Sequence, residues 1–201
     1  MRRCFRGRAE WGSSLIEMLL CCALMGLLMV CIQRMMAAAV RYYQNSNATT
    51  EIQQNTLVGM AALSTEMVEG NRGSFRVDSN PPLTGLIFGS PRGADGKVRY
   101  EGTKLLWQKL VCYYVEEVNG VKCLVRREQP SGPTTFPPLI SNAEDCESFQ
   151  AQPGLPRKIV ARNISRLDST QSFPIPITIE GEITVSYTFK VEVTTKISMK
   201  N

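Results

Sequence analysis

The sequence predicts an α+β protein, in which one long N-terminal helix, membrane-spanning in its first half, packs on an antiparallel β-sheet domain. Three observations carry this. An 18-residue apolar run, Leu15 to Ile32, holds one charge, Glu17. An amphipathic stripe with helical spacing follows it. From residue 74 the hydrophobic period changes to two. The expected divisions are a leader over 1–12, a transmembrane helix half over 13–33, an amphipathic continuation over 34–72 and a β domain over 73–201. The 201 residues, 43% hydrophobic and 20% charged, can bury a core and are too apolar for wholesale disorder.

The leader carries Arg2, Arg3, Arg6 and Arg8 against Glu10, which is most of the net charge of +5. The body is near neutral, so a nucleic-acid footprint is not expected. The 18-residue run spans roughly 27 Å as a helix, close to a bilayer core. Arginines before it place the N-terminus in the cytoplasm and the rest outside. A cleavable signal would be shorter and end in small residues, whereas here only Ala37, Ala38 and Ala39 lie well past the core. A lipoprotein site at Leu28-Met29-Val30-Cys31 would put valine directly before the cysteine.

Glu17 is the odd residue, because a carboxylate inside an apolar run costs about 2.5–3.5 kcal/mol at a helix centre and less near its end. Its setting is Gly12-Ser13-Ser14-Leu15-Ile16-Glu17 after the basic leader, with the apolar helix following. Gly7 lacks this spacing, since its fifth residue onward is Gly12. The compound pattern resembles the cleavage site of type IV prepilins and type II secretion pseudopilins. The resemblance implies cleavage by prepilin peptidase between Gly12 and Ser13 and methylation of the new Ser13 amine. It implies a filament in which Glu17 sets axial register by pairing with a neighbouring subunit's amine. Ser13 stands where phenylalanine or methionine is commoner. Gly26 falls where many pilins have a glycine that permits local melting, and no proline occurs from 13 to 80. The implied partners are the peptidase, other minor and major (pseudo)pilins, an inner-membrane assembly platform and the membrane. The implied location is the bacterial inner membrane, single-pass, with the C-terminal domain periplasmic or extracellular.

Next along the chain, Ile52, Thr56, Met60, Leu63 and Met67 step at three and four, a core-facing stripe. Gln53, Gln54, Asn55 and Glu66 take other faces. Gly70, Asn71 and Gly73 stop the helix. Leu110–Val118 and Val121–Glu128 flank Asn119-Gly120, a strong hairpin signal, with Val118 facing Val121 and Cys112 facing Arg127. Ile183 to Thr194 alternates as one long strand. A loop at Glu180-Gly181-Glu182 would pair it with Phe173–Ile179, which Pro174 and Pro176 make an edge or irregular strand. Shorter strands are expected at Leu86–Phe88, Val98–Tyr100 and Ile159–Leu167. Gln129 to Pro156, rich in proline and glycine, reads as a long loop. This order of elements, from Ala62-Leu63-Ser64-Thr65-Glu66-Met67 to the closing strands, also looks like minor pilin W and the type II secretion minor pseudopilin J.

The absence of histidine excludes Ser-His-Asp and Cys-His sites and histidine-liganded zinc. No metal site, cofactor or enzymatic activity is expected. Glu116-Glu117, Glu144-Asp145 and Arg126-Arg127 read as solvated charges, and Asp95-Gly96 as a turn. Of seven cysteines, Cys4 leaves with the leader and Cys21, Cys22 and Cys31 are apolar filler. Cys112 and Cys123 share a hairpin face but sit roughly 13 Å apart along it, too far for a bridge. A disulfide therefore needs Cys146, with Cys123 as partner or Cys112 as the alternative. Two function classes stand: a minor pilin or pseudopilin, and a membrane-anchored envelope enzyme or binding protein with an uncleaved helix.

Overall fold

The computed structural model describes residues 14–79, 83–141, 144–185 and 187–199. The chain divides into two compact units, Met1–Asn45 and Ser46–Asn201. One helix, α1 (Leu15–Glu69), supplies all the secondary structure described in the first unit and opens the second. It stops where expected: Gly70 follows, and the Asn71 side chain accepts the Gly73 N–H (2.7 Å) to start a short 3-10 turn.

The second unit adds β1 (Phe75–Asp78), β2 (Gly85–Ser90), β3 (Arg99–Glu101), β4 (Lys104–Val118), β5 (Val121–Thr134), α2 (Cys146–Ala151), β6 (Arg157–Arg162), β7 (Ile164–Ser169), β8 (Ile175–Thr184) and β9 (Thr188–Ile197). One antiparallel sheet runs β1-β2-β4-β5-β6, with β3 also on β4; a second runs β7-β8-β9. The expected α+β class, a long apolar helix packed on antiparallel sheets, is the observed one.

The β4–β5 hairpin has the expected register, with Val118 opposite Val121 and Cys112 opposite Arg127. Asn119 and Gly120 both hold positive φ (54° and 78°), as a two-residue turn matched to strand twist requires. The run Leu110–Tyr114 is buried on both faces of its sheet, which is why it is apolar without alternation. Val111 and Tyr113 face Met60, Leu63 and Met67 of α1 and the isoleucines of β7 and β8. Cys112 and Tyr114 face the other way, under Cys146 and Phe149 of α2.

Four expectations are corrected. The turn in the last hairpin is not at Glu180-Gly181-Glu182: β8 runs through these residues to Thr184, and Ile183 pairs with Phe189. Gly181 is there for close packing. A Cβ on it would lie 2.4 Å from Thr56 Oγ1 and 2.8 Å from Ile52 Cγ2, so its missing side chain lets the helix approach the strand. β8 is also the central strand of its sheet, although at Pro176 only β9 pairs with it. The single strand expected over Ile159–Leu167 breaks at Asn163 (φ 58°), and its halves join different sheets. The long loop is shorter than expected. β5 continues to Thr134, and Asp145 caps α2 in a reciprocal box with Ser148.

Candidate membrane anchor and assembly site

From Leu15 to Gln44 every side chain of α1 is exposed. They include leucines, methionines, Val30, Ile32, Val40, Tyr42 and Tyr43. This is the one helix among the described residues long and apolar enough to cross a membrane. So much apolar surface needs a non-aqueous phase or other helices to cover it. The sequence supplies the surface by placing no charge between Glu17 and Arg34.

Glu17 sits in the first turn. Its Oε2 accepts the Ser14 backbone N–H (3.0 Å), and the Ser14 hydroxyl accepts the Glu17 N–H (3.4 Å). Ser14-Leu15-Ile16-Glu17 is thus a capping box, satisfying two N–H groups at the helix start and placing negative charge at its positive end. The sequence reading missed this, although serine three residues before glutamate is its signature. Gly12 and Ser13, the expected cleavage and methylation positions, lie outside the described residues. Through Gly26 the helix is unbroken.

Glu117 is exposed, as expected, whereas Glu116, Glu144, Asp145, Arg126 and Arg127 have structural partners. Glu116 accepts from Gln150 (3.1 Å) and Arg157 (3.0 Å). Glu144 accepts the Ser141 N–H (2.7 Å), and Asp145 is the α2 cap. Arg127 spans from the Tyr114 hydroxyl (2.9 Å) to the Phe149 and Gln152 carbonyls. Arg126 corrects the expectation of a solvated charge. It is buried and donates to Glu66 through Nε (2.8 Å) and to Glu128 through an Nη. Glu66 also accepts from the Tyr113 hydroxyl (2.9 Å), and Glu128 pairs with Lys109 (2.6 Å). Burial opposes the Arg126 charge, but the two carboxylates outweigh it and hold the guanidinium above its ordinary pKa. Burial pushes the Tyr113 phenol well up as well, so it stays a hydrogen-bond donor. These groups line a cleft of about 590 Å³ beside α1. Engaged with one another, they fasten the helix to the sheet.

Cys146 packs against Cys112, not Cys123: the Cys112 and Cys146 sulfurs are 3.3 Å apart, both as thiols. The Cys123 thiol instead donates to Val121 O within its own hairpin (3.5 Å). The preferred Cys123–Cys146 pairing fails because α2, unseen in sequence, carries Cys146 over β4 rather than to the hairpin tip.

No protein-family model, curated protein or solved structure matches the chain. Fold and site define it as an α+β protein whose N-terminal helix has a segment compatible with a membrane anchor.

Proposed function

We propose that this chain is a minor pilin or pseudopilin, a structural and assembly-priming subunit of a type IV pilus or type II secretion pseudopilus. Prepilin peptidase cuts it between Gly12 and Ser13, and Ser13 is methylated. Other (pseudo)pilins and the assembly platform are its partners. It resides in the bacterial inner membrane with the second unit outside. One observation carries the reading. A helix apolar on every side bears a single carboxylate at its start, five residues after a glycine that ends a basic leader, and the same helix continues as the core helix of an antiparallel domain. A surface helix of a soluble protein needs only one apolar face; an all-round one suits packing among lipid or other such helices.

The capping box favours a second reading, an uncleaved anchor of an envelope protein. Glu17 already has a partner in its own chain, so a neighbour's amine is not required to satisfy it. Two variants separate the readings. Glu17→Gln keeps the cap, since glutamine serves at that position, but removes the charge. Glu17→Ala removes both. If Glu17 pairs with a subunit amine, both variants are processed normally and both fail to enter filaments, because losing one partner of a buried pair costs about 3–5 kcal/mol. Normal assembly of Glu17→Gln, or a chain from membranes still starting at Met1, refutes the filament role.

A further inference from the structure

We propose that Cys112 and Cys146 form a disulfide that locks α2 onto the central strand β4, while Cys123 remains a thiol. The inference rests on the proposed placement of the second unit outside the cytoplasm, where such bonds persist.

Both residues are fully buried on the same face of the larger sheet. Their sulfurs, 3.3 Å apart, need only small side-chain rotations to reach bonding distance. Three features aim Cys146 at Cys112. Asp145 caps α2 and fixes its start. The Cys146 N–H donates to Asp78 Oδ2 on β1 (2.7 Å), which seats the first turn of α2 against the sheet. Gly85 of β2 leaves room for the sulfur, since a Cβ there would lie 2.6 Å from Cys146 Sγ. Cys123 sits opposite Glu116, four residues along β4 from Cys112, and its thiol turns back to Val121 O.

The chemistry is thiol–disulfide exchange with a protein disulfide of the oxidising compartment. One thiolate attacks the donor's disulfide and forms a mixed disulfide. The second cysteine's thiolate then displaces the donor, which leaves as a dithiol. The chain loses two protons and two electrons, and one S–S bond forms as another is reduced. Access sets the timing. In the folded unit both sulfurs are closed to a protein oxidant, and the Cys146 thiol is pushed far up by Cys112, burial and Asp78. Oxidation therefore happens while the chain folds, before α2 docks.

The full chain, purified in detergent, is reduced, unfolded and refolded in a glutathione redox buffer. Remaining thiols are then alkylated and the peptides mapped. The expected result is a Cys112–Cys146 linked peptide with Cys123 alkylated, and a melting temperature roughly 10 °C above that of the same protein refolded reduced. A Cys123–Cys146 or Cys112–Cys123 peptide, or three alkylated cysteines, overturns the assignment. Alkylation in intact cells separates the two ideas. Linkage in the refolded chain with free thiols in cells overturns the location, and leaves the pairing standing.

Discussion

Gly181→Ala adds one methyl group where α1 meets β8. The new Cβ would stand 2.4 Å from Thr56 Oγ1 and 2.8 Å from Ile52 Cγ2, about 1 Å inside ordinary carbon contact distances. Ile52 and Thr56 are fully buried on α1, so neither side chain can swing into solvent. Helix and sheet must separate or the side chains must leave their rotamers. Overpacking of this kind costs about 1–3 kcal/mol. Alanine also restricts the unfolded chain, which returns roughly 0.4–1 kcal/mol. The net loss is about 1–2 kcal/mol, or a fall of roughly 2–8 °C in melting temperature for a chain of this size. The assay is thermal unfolding of the full chain in detergent, followed by fluorescence of the buried Trp107. A second background makes the argument strict. Thr56→Ala removes the nearer clashing atom, a hydroxyl that is itself buried without a partner among the described residues. In that background Gly181→Ala should cost less than half as much, because only Ile52 still crowds it. Equal costs in the two backgrounds, or no cost in either, would refute the close-packing account of Gly181.

Arg126→Ala should destabilise by about 2–3 kcal/mol in urea unfolding at pH 7. That is below the usual cost of breaking a buried pair, because Glu66 keeps Tyr113 and Glu128 keeps Lys109; a change under 0.5 kcal/mol would show that the network does not fasten α1. Burial tends to raise the Glu128 carboxyl, but Lys109 and Arg126 hold it below its ordinary value of 4.5. Its folded pKa is thus below its unfolded one, so its contribution is complete above about pH 4.5 and lost as pH falls through the folded value. Unfolding midpoints at pH 7, 5, 4 and 3 should therefore drop mainly below pH 5, and less steeply in Arg126→Ala.

The sequence was most legible where structure is local. The β4–β5 hairpin follows from Asn119-Gly120 and the flanking pattern, and the buried helix stripe from its three-four spacing. The errors lie where a distant partner decides. Gly181 has the composition of a turn, yet its role depends on Thr56, more than a hundred residues earlier, and no local signal separates the two uses of glycine. Asn163 breaks an apolar run that period alone reads as one strand. Arg126 resembles a surface charge until Glu66 arrives from α1. Two misses had readable signals: serine and glutamate at capping spacing in Ser14–Glu17, and aspartate three residues before serine in Asp145–Ser148. At the candidate site the apolar anchor was plain from composition, while the Cys112–Cys146 contact was not. Its geometry depends on α2, a single turn and a half within a proline-rich stretch.

The pairing of Ile52 and Thr56 with Gly181 also sets an order of events during synthesis. The helix leaves the ribosome first, and the strand that covers its stripe comes about 125 residues later. At 5–20 residues per second that interval is roughly 6–25 s. By the end of it β6 has followed the β4–β5 hairpin and the larger sheet has all its strands, but the stripe from Ile52 to Met67 still lacks β8. Completion of this unit therefore waits for its last strands. A stall or truncation before β8 leaves an apolar helix face uncovered, the kind of surface that holding chaperones and proteases recognise.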